Sequence, residues 1–128
     1  MKLSNKEYEL YFNKNNIKQN KYHNKKVFYD EHWFDSEKEK EHYVLLKLLE
    51  NNGMIKDLQL QVKFELQPAF EKNGIKYRAI KYIADFVYFD VSAQKKVVVD
   101  VKGYRNQVYL LKKKLFEYKY KDVFIKEI

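Results

Sequence analysis

The sequence lacks cysteine, and it has only one proline and three glycines among its 128 residues. Without cysteine the chain can form neither a disulfide framework nor a thiolate zinc site, and it has no cysteine nucleophile. Any metal ion must be held by oxygen or histidine ligands, a donor set that favours hard cations such as Mg²⁺ or Mn²⁺. The three histidines, His23, His32 and His42, have no metal-ligand spacing among them.

Long apolar runs are also absent. No stretch approaches the roughly 20 apolar residues that span a bilayer, and the segment MKLSNKEYEL has no apolar region of a signal peptide. We therefore expect a cytoplasmic protein with no membrane partner. The length suits one ordinary domain, and 45% hydrophobic residues are enough to build its core.

The net charge of +8 is concentrated at the two ends of the chain. Residues 1–27 hold seven lysines against two glutamates, residues 28–102 carry a net charge of −1, and residues 103–128 carry +4. Basic ends suit a polyanion, because lysine contacts to phosphate release counterions. The alternative is that these lysines only keep the surface soluble. Because residues 1–27 are also poor in aliphatic side chains, we predict a basic arm over 1–27 and a domain over 28–128.

The spacing of apolar residues predicts two helices. The first follows the capping candidates Asp35 and Ser36 and stops at Gly53. Its core face is predicted to carry Leu45, Leu46, Leu48 and Leu49. The second helix lies near the end of the chain, and its apolar stripe is predicted to consist of Tyr104, Val108, Leu111, Leu115 and Tyr118.

Other segments have the period of strands. KVFYDEHWF suits either a short strand pair or an extended entry to the domain. IKDLQLQVKFELQ alternates apolar and polar residues up to Pro68, and Asn73-Gly74 marks a turn. KYRAIKYIADFVYF and KKVVVDVKG predict an antiparallel hairpin of central strands, and VFIKEI predicts a last strand. The order helix, three strands, helix, strand predicts an α/β (α+β) fold in which helices flank a mixed central sheet.

Two acids lie inside the apolar hairpin strands. If residues 91–94 form the loop of a symmetric hairpin, paired residue numbers sum to 185, and Asp85 lies opposite Asp100. Opposed side chains have Cβ atoms about 4.5–5.5 Å apart, so the two carboxylates can bind one cation. Lys102 then points to the same face, and the opposite face is predicted to carry Ala84, Phe86 and Tyr88. The structural alternative is that Lys102 neutralises Asp100 while Asp85 meets another lysine.

A third carboxylate lies in the first helix. Residues 36–39, SEKE, match a capping box, in which Glu39 accepts a hydrogen bond from the backbone N–H of Ser36. Glu39 is therefore either a structural cap or a third acid of the same site. Glu41 is the alternative acid on this helix.

These residues resemble the PD-(D/E)xK nuclease superfamily, with Asp85, then D-V-K at residues 100–102, a helical S-x-x-E before them and a lysine-rich helix after them. More closely, the blocks FDSEKEKEHYVLLKLLE, LQLQVKFELQPAF, KYRAIKYIADFVYF and VVVDVKG resemble a family of small phage and prophage proteins assigned to that superfamily. The resemblance covers about residues 21–128. Ala84 stands where the superfamily's name has proline, as in many of its members.

The resemblance implies a restriction-endonuclease-like core and a Mg²⁺-dependent (or Mn²⁺-dependent) endonuclease that hydrolyses DNA in the bacterial host of a phage. It implies that Asp85, Asp100 and the carbonyl of Val101 bind the metal, that Glu39 is the helical acid of the metal site, and that Lys102 is the active-site lysine. DNA is the expected partner, and a homodimer is left open. The basic residues expected to contact the DNA backbone are Lys21, Lys25, Lys26, Arg105, Lys112 and Lys113.

Two other classes of function remain as alternatives. A nucleic-acid-binding module without catalysis would have the same charge pattern, but it would not need Glu39, Asp85, Asp100 and Lys102 together. A phage structural or packaging protein would bind its partners through an aromatic face of the second helix, formed by Tyr109, Phe116 and Tyr120.

Overall fold

The computed structural model describes residues 25–101 and 105–128 of the chain. The elements in these two ranges are β1 (Val27–Tyr29), β2 (His32–Phe34), α1 (Glu37–Asn51), β3 (Ile55–Gln67), β4 (Phe70–Lys72), β5 (Ile75–Tyr77), β6 (Ile80–Asp90), β7 (Lys95–Asp100), α2 (Gln107–Lys119) and β8 (Ile125–Glu127). The protein is therefore α+β, and it has the predicted order with two short hairpins added. In the part of the chain just defined, no helix is both long enough and apolar enough to cross a membrane.

The chain divides into two compact units, with the boundary after Leu48. The first unit contains the antiparallel β1–β2 hairpin, which confirms the predicted strand pair, and most of α1. Ser36 caps α1, because its Oγ accepts a hydrogen bond from the backbone N–H of Glu39 at 3.1 Å. The ring of Tyr43 packs against Phe34 with centroids 5.1 Å apart, and its hydroxyl donates to the carboxylate of Asp30.

The buried face of α1 differs from the predicted one. Glu39, Tyr43 and Leu46 are buried, whereas Leu45 and Leu48 are exposed. The predicted leucine face was correct for Leu46 and wrong for Leu45 and Leu48, because it ranked residues by hydrophobicity alone. Polar side chains can lie on the buried side of a helix when their polar atoms are hydrogen-bonded, as those of Glu39 and Tyr43 are.

The second unit is built on a four-stranded sheet with the order β3-β6-β7-β8. β3 pairs with β6 and β6 pairs with β7 in antiparallel fashion, while β8 runs parallel to β7. The predicted mixed sheet is therefore confirmed. β3 has the predicted bounds and the alternating exposure of a strand with one wet face.

The β6–β7 hairpin has the predicted register. From the pair Phe86–Val99 to the pair Asp90–Lys95, the two residue numbers of each pair sum to 185, and residues 91–94 form the turn. The paired residues end at Phe86 and Val99, so the pairing stops one residue before Asp85 and one residue before Asp100. The hairpin therefore brings the two acids of the sequence prediction to the same end of its paired region, and their direct opposition stays a prediction.

The core of the second unit lies between the sheet and α2. Its rings pack edge to face, with centroids 5.0 Å apart for Phe64 and Phe116 and 5.4 Å apart for Tyr82 and Phe116. The buried residues of this cluster are Tyr82, Ala84, Val87, Val98, Tyr109, Phe116 and Ile125.

The alternation of side chains along β6 shifts within this core. Tyr82 and Ala84 belong to the cluster and so does Val87, which strict alternation would place on the other face. The prediction of strict alternation was therefore wrong between Ala84 and Val87. The shift coincides with an irregularity in β3, since Gln61, which lies across from Asp85, has a positive φ of 52°.

The helix α2 also buries a different face from the predicted one. The buried residues are Tyr109 and Phe116, and Tyr120 packs beside them. The predicted stripe is exposed instead: Val108 is 62% exposed, Leu111 57%, Leu115 37% and Tyr118 75%. The fifth member, Tyr104, lies outside the described residues.

This result also corrects the prediction of an aromatic partner-binding face on α2. Tyr109, Phe116 and Tyr120 pack toward the sheet, so they form part of the core rather than a docking surface. Aromatic rings bury more area than leucine side chains and make specific contacts with Phe64 and Tyr82, which explains why they occupy the inner face.

The two faces of α2 give a stability prediction. Phe116→Ala should lower the free energy of unfolding by about 3–5 kcal/mol, because the phenylalanine is fully buried. Leu111→Ala, on the exposed stripe, should change it by no more than about 0.5 kcal/mol. Urea denaturation of both variants measures the difference. Equal losses would show that the predicted stripe, not the aromatic face, packs against the sheet.

Candidate active site

Asp100 ends β7 and is almost fully buried, with 1% of its surface exposed. Its backbone carbonyl accepts a hydrogen bond from the N–H of Ile128 at 3.0 Å, which ties it to the end of β8. Its carboxylate accepts a hydrogen bond from the hydroxyl of Tyr82. A buried carboxylate is costly unless it has such partners, so Tyr82 is part of what holds Asp100 in place.

Tyr82 was not among the predicted site residues. Burial, together with the hydrogen bond to Asp100, raises the pKa of Tyr82 above its usual range. The hydroxyl therefore stays protonated at neutral pH and remains a donor. The contact also puts Tyr82 and Asp100 on one face of the sheet. Strict alternation had predicted the opposite, because Tyr82 shares a face with Ala84, and Ala84 was predicted to lie on the face away from the acids.

Asp85 lies in the middle of β6 and is half-buried. Its Oδ2 accepts a hydrogen bond from the backbone N–H of Val101 at 2.8 Å, and its Oδ1 lies 3.5 Å from Nε2 of Gln61. The first contact places the Asp85 carboxylate beside the peptide bond that joins Asp100 to Val101. We call Asp85 and Asp100 the carboxylate pair; one member is buried and the other is partly open to solvent.

The backbone of Gln61, beside Asp85, has an unusual conformation. Its φ of 52° is in the left-handed region, where a residue with a side chain is uncommon inside a strand. Such conformations cost of the order of 1–3 kcal/mol and concentrate at functional sites. No feature of the alternating β3 sequence indicates this conformation, so sequence reasoning missed it.

A further acid, Glu127, lies next to Asp100 in the parallel register of β7 and β8. Its carboxylate accepts hydrogen bonds from the hydroxyl of Tyr109 at 2.7 Å and from Nζ of Lys113 at 3.2 Å, and it pairs with Nε of Arg105 at 3.1 Å. Partial burial raises the pKa of Glu127, but these hydrogen bonds and positive charges lower it more, so the pKa lies below its ordinary value. Glu127 is therefore ionised at neutral pH.

Glu127 was also missed by sequence reasoning. The signal was available, because an acid in the last strand lies level with Asp100 once β8 is placed parallel to β7. Tyr109 has a related role: burial, and the hydrogen bond to Glu127, raise its pKa, so its hydroxyl also stays protonated.

Glu39 lies in the first unit and is buried. Its carboxylate accepts a hydrogen bond from the backbone N–H of Asp35 at 3.3 Å. The predicted capping box has the N–H of Ser36 as its donor, whereas this hydrogen bond comes from the residue before it. Glu41 is exposed. These contacts match a capping role for Glu39, and its role as a third acid stays a prediction.

The predicted basic residues are in different situations. Lys25 and Lys26 are exposed, and Lys112 is half-buried. Arg105 and Lys113 both pair with Glu127, as described above. Lys21 and the predicted active-site Lys102 lie outside the described residues, so their roles stay predictions.

The carboxylate pair offers oxygen atoms, the donors that hard cations prefer. Mg²⁺ in proteins is commonly held by one or two carboxylates, with water and substrate phosphate completing its shell. Within residues 25–101 and 105–128, no group of three or more His, Asp or Glu side chains is arranged to hold a metal ion. The pair therefore fits Mg²⁺ or Mn²⁺ only with further ligands, such as the carbonyl of Val101, water or phosphate.

Comparison with known proteins gives one match. The family described as "Protein of unknown function (DUF1064)" matches residues 19–128. No curated protein matches the sequence, and no solved structure matches it. Because the family match covers most of its length, the chain belongs to the DUF1064 family.

Proposed function

We propose that the protein is a metal-dependent endonuclease of the PD-(D/E)xK superfamily that hydrolyses phosphodiester bonds in DNA. The observation that carries the proposal is the hydrogen bond from the N–H of Val101 to the carboxylate of Asp85. It ties the carboxylate of Asp85, in the middle of β6, to the backbone directly after Asp100 at the end of β7, and these two residues are the metal-binding acids that the resemblance implies.

The fold supports the same proposal. Without the two short hairpins, the element order is α-β-β-β-α-β, with three antiparallel strands followed by a parallel one. This arrangement is compatible with a restriction-endonuclease-like core, which we propose for this chain. A fold shared by many activities does not by itself decide the chemistry, so the proposal rests on the carboxylate pair.

The proposed roles follow from the contacts. Asp85 and Asp100 bind Mg²⁺ or Mn²⁺, and a divalent cation there would supply Lewis acidity at the scissile phosphate. Tyr82 keeps the Asp100 carboxylate oriented by donating its hydroxyl hydrogen. Lys102 orients the attacking water or offsets the charge that develops on the phosphate. Glu39 is the candidate third acid.

The charge distribution supports a polyanionic substrate. Basic residues near both ends of the chain, including the exposed Lys25 and Lys26, neutralise backbone phosphates in this proposal. We propose phage DNA in the bacterial cytoplasm, branched or replicating, as the substrate. The alternative function, a nucleic-acid-binding module without catalysis, predicts no metal-dependent cleavage. The next experiment measures that cleavage.

Asp100→Asn should abolish Mg²⁺-dependent cleavage while DNA binding stays equal or becomes tighter, because the change removes both a ligand and a repulsive charge. The fold should persist, since asparagine can still accept the hydrogen bond from Tyr82. Cleavage is measured on linear, single-stranded and four-way-junction DNA, with Asp122→Asn, an exposed acid, as the matched control. In addition, Mg²⁺ should raise the melting temperature of the unmodified protein more than that of Asp100→Asn. Cleavage that survives in Asp100→Asn would rule out this site.

Tyr82→Phe tests the positioning of Asp100. Hydrogen bonds to charged groups contribute about 1.5–3 kcal/mol, so the variant should be destabilised by about that amount. It should also need a higher Mg²⁺ concentration for half-maximal cleavage, because the Asp100 carboxylate loses its fixed orientation. Tyr120→Phe is the control, since its hydroxyl donates instead to the carbonyl of Glu65. An unchanged Mg²⁺ dependence would leave Tyr82 with a structural role only.

Glu39→Gln separates the two roles of Glu39. Glutamine can still accept from the N–H of Asp35, so the melting temperature should barely move. If Glu39 is the third acid, cleavage should fall at least tenfold, which corresponds to about 1.4 kcal/mol of barrier. Glu41→Gln is the matched control on the same helix. A loss of cleavage in Glu41→Gln alone would identify Glu41 as the acid, and no loss in either would leave the helix with a structural role.

A further inference from the structure

The short β4–β5 hairpin is exposed along its whole length. All six strand residues are exposed. Its turn residues, Asn73 and Gly74, have φ values of 53° and 76°, the left-handed pair that a tight two-residue hairpin requires. The turn fixes the register, so Phe70 lies directly across from Tyr77.

One face of this hairpin is aromatic. The rings of Phe70 and Tyr77 are stacked, with centroids 4.7 Å apart and planes inclined by 13°. They nevertheless remain 44% and 43% exposed, and Ile75 is 55% exposed. Cross-strand stacking stabilises the hairpin itself, but it leaves the outer faces of both rings open to solvent. Clustered exposed apolar side chains of this kind mark binding surfaces.

The hairpin also carries basic side chains. Alternation places Lys72 on the aromatic face, while Glu71 and Lys76 lie across from each other on the opposite face. Arg78 follows β5 directly and is exposed. Residues 70–78 therefore carry a net charge of +2, with one cation, Lys72, on the face of the rings. Aromatic rings flanked by cations bind unpaired nucleic acid, because bases stack on the rings while phosphates contact the cations.

The hairpin also lies within reach of the carboxylate pair. It joins the end of β3, at Gln67, to the start of β6, at Ile80. Asp85 lies eight residues after Tyr77, which is at most about 29 Å of extended chain. That length corresponds to about eight base pairs of duplex. A single nucleic-acid molecule can therefore contact the hairpin and the carboxylate pair together.

We propose that the aromatic face of the β4–β5 hairpin binds unpaired bases, so that the substrate is DNA with a single-stranded or branched segment. The cleavage of that substrate rests on the proposed function, whereas the binding step does not. A nucleic acid fits better than an acidic protein, because two nearly parallel stacked rings offer flat outer surfaces to bases, while Lys72 on the same face can contact a phosphate.

The test measures binding separately from cleavage. Fluorescence anisotropy of the full chain carrying Asp100→Asn compares a single-stranded oligo-dT, a four-way junction and a duplex of the same length, at one fixed salt concentration. Adding Phe70→Ala or Tyr77→Ala should weaken binding of the oligo-dT and the junction about tenfold and that of the duplex less than about twofold. Lys72→Gln should reduce the salt dependence of binding to all three.

Three controls accompany these variants. Phe124→Ala removes a ring that is 73% exposed outside the hairpin and should leave oligo-dT binding unchanged. Tyr77→Phe keeps the stacked pair and should also bind normally. Phe70→Leu keeps an apolar side chain in the hairpin but removes the ring, so weak oligo-dT binding with an unchanged melting temperature would attribute the loss to stacking rather than to unfolding.

The outcomes separate this inference from the proposed function. If the alanine variants weaken the binding of duplex and of oligo-dT equally, or leave both unchanged, the hairpin does not bind bases. Metal-dependent cleavage by the unmodified protein would then still support the proposed nuclease activity. If poly-glutamate displaces oligo-dT and the ring variants weaken both equally, the hairpin binds acidic chains in general and the inference is wrong. If the ring variants selectively lose oligo-dT binding and the unmodified protein cleaves no DNA, the result would support base binding by the hairpin and contradict the proposed nuclease activity.

Discussion

The hydrogen bond from the N–H of Val101 to the carboxylate of Asp85 depends on the register of the β6–β7 hairpin, and the candidate site depends on that hydrogen bond. A slip of one residue would move every β7 side chain to the other face of the sheet and would take the N–H of Val101 away from the Asp85 carboxylate. The turn at residues 91–94 opposes such a slip, because it sets which residues of β6 and β7 pair. The register of the hairpin is therefore what fixes the contact between the Asp85 carboxylate and the end of β7.

The aromatic character of the core has the same origin. Asp100 is buried, so it needs a hydrogen-bond donor from within the core, and a leucine or valine cannot supply one. Tyr82 fills core volume and donates to Asp100, and Tyr109 does the same for Glu127. Both hydroxyls stay protonated because burial raises their pKa. Tyr82 on β6 and Tyr109 on α2 therefore each combine packing in the core with a hydrogen bond to a carboxylate.

This requirement explains which parts of the structure the sequence could predict. The bounds of β3, the Asn-Gly turn and the register of the paired residues in the β6–β7 hairpin depend on local patterns, and they were predicted correctly. The segment predicted as one strand from Lys76 is instead divided between β5 and β6. The buried face of α2 was predicted wrongly and that of α1 only in part correctly, because hydrophobicity ranks leucine above tyrosine and takes no account of buried carboxylates. Glu127 was missed because its place beside Asp100 follows from a parallel pairing between distant segments, and the left-handed φ of Gln61 has no signal in the β3 pattern.

Glu127 also limits how the basic end of the chain can bind phosphate. Its lowered pKa keeps it ionised at neutral pH, so it continues to attract Arg105 and Lys113. Because Arg105 is about half exposed (52%), its ion pair with Glu127 is worth no more than about 1 kcal/mol, and a phosphate can compete for it. Lys113 is less exposed and also shares Glu127 with the Tyr109 hydroxyl, so it is released less readily. Glu127 therefore holds both cations, and under the proposed function Arg105 is the cation that we expect to move to a DNA phosphate.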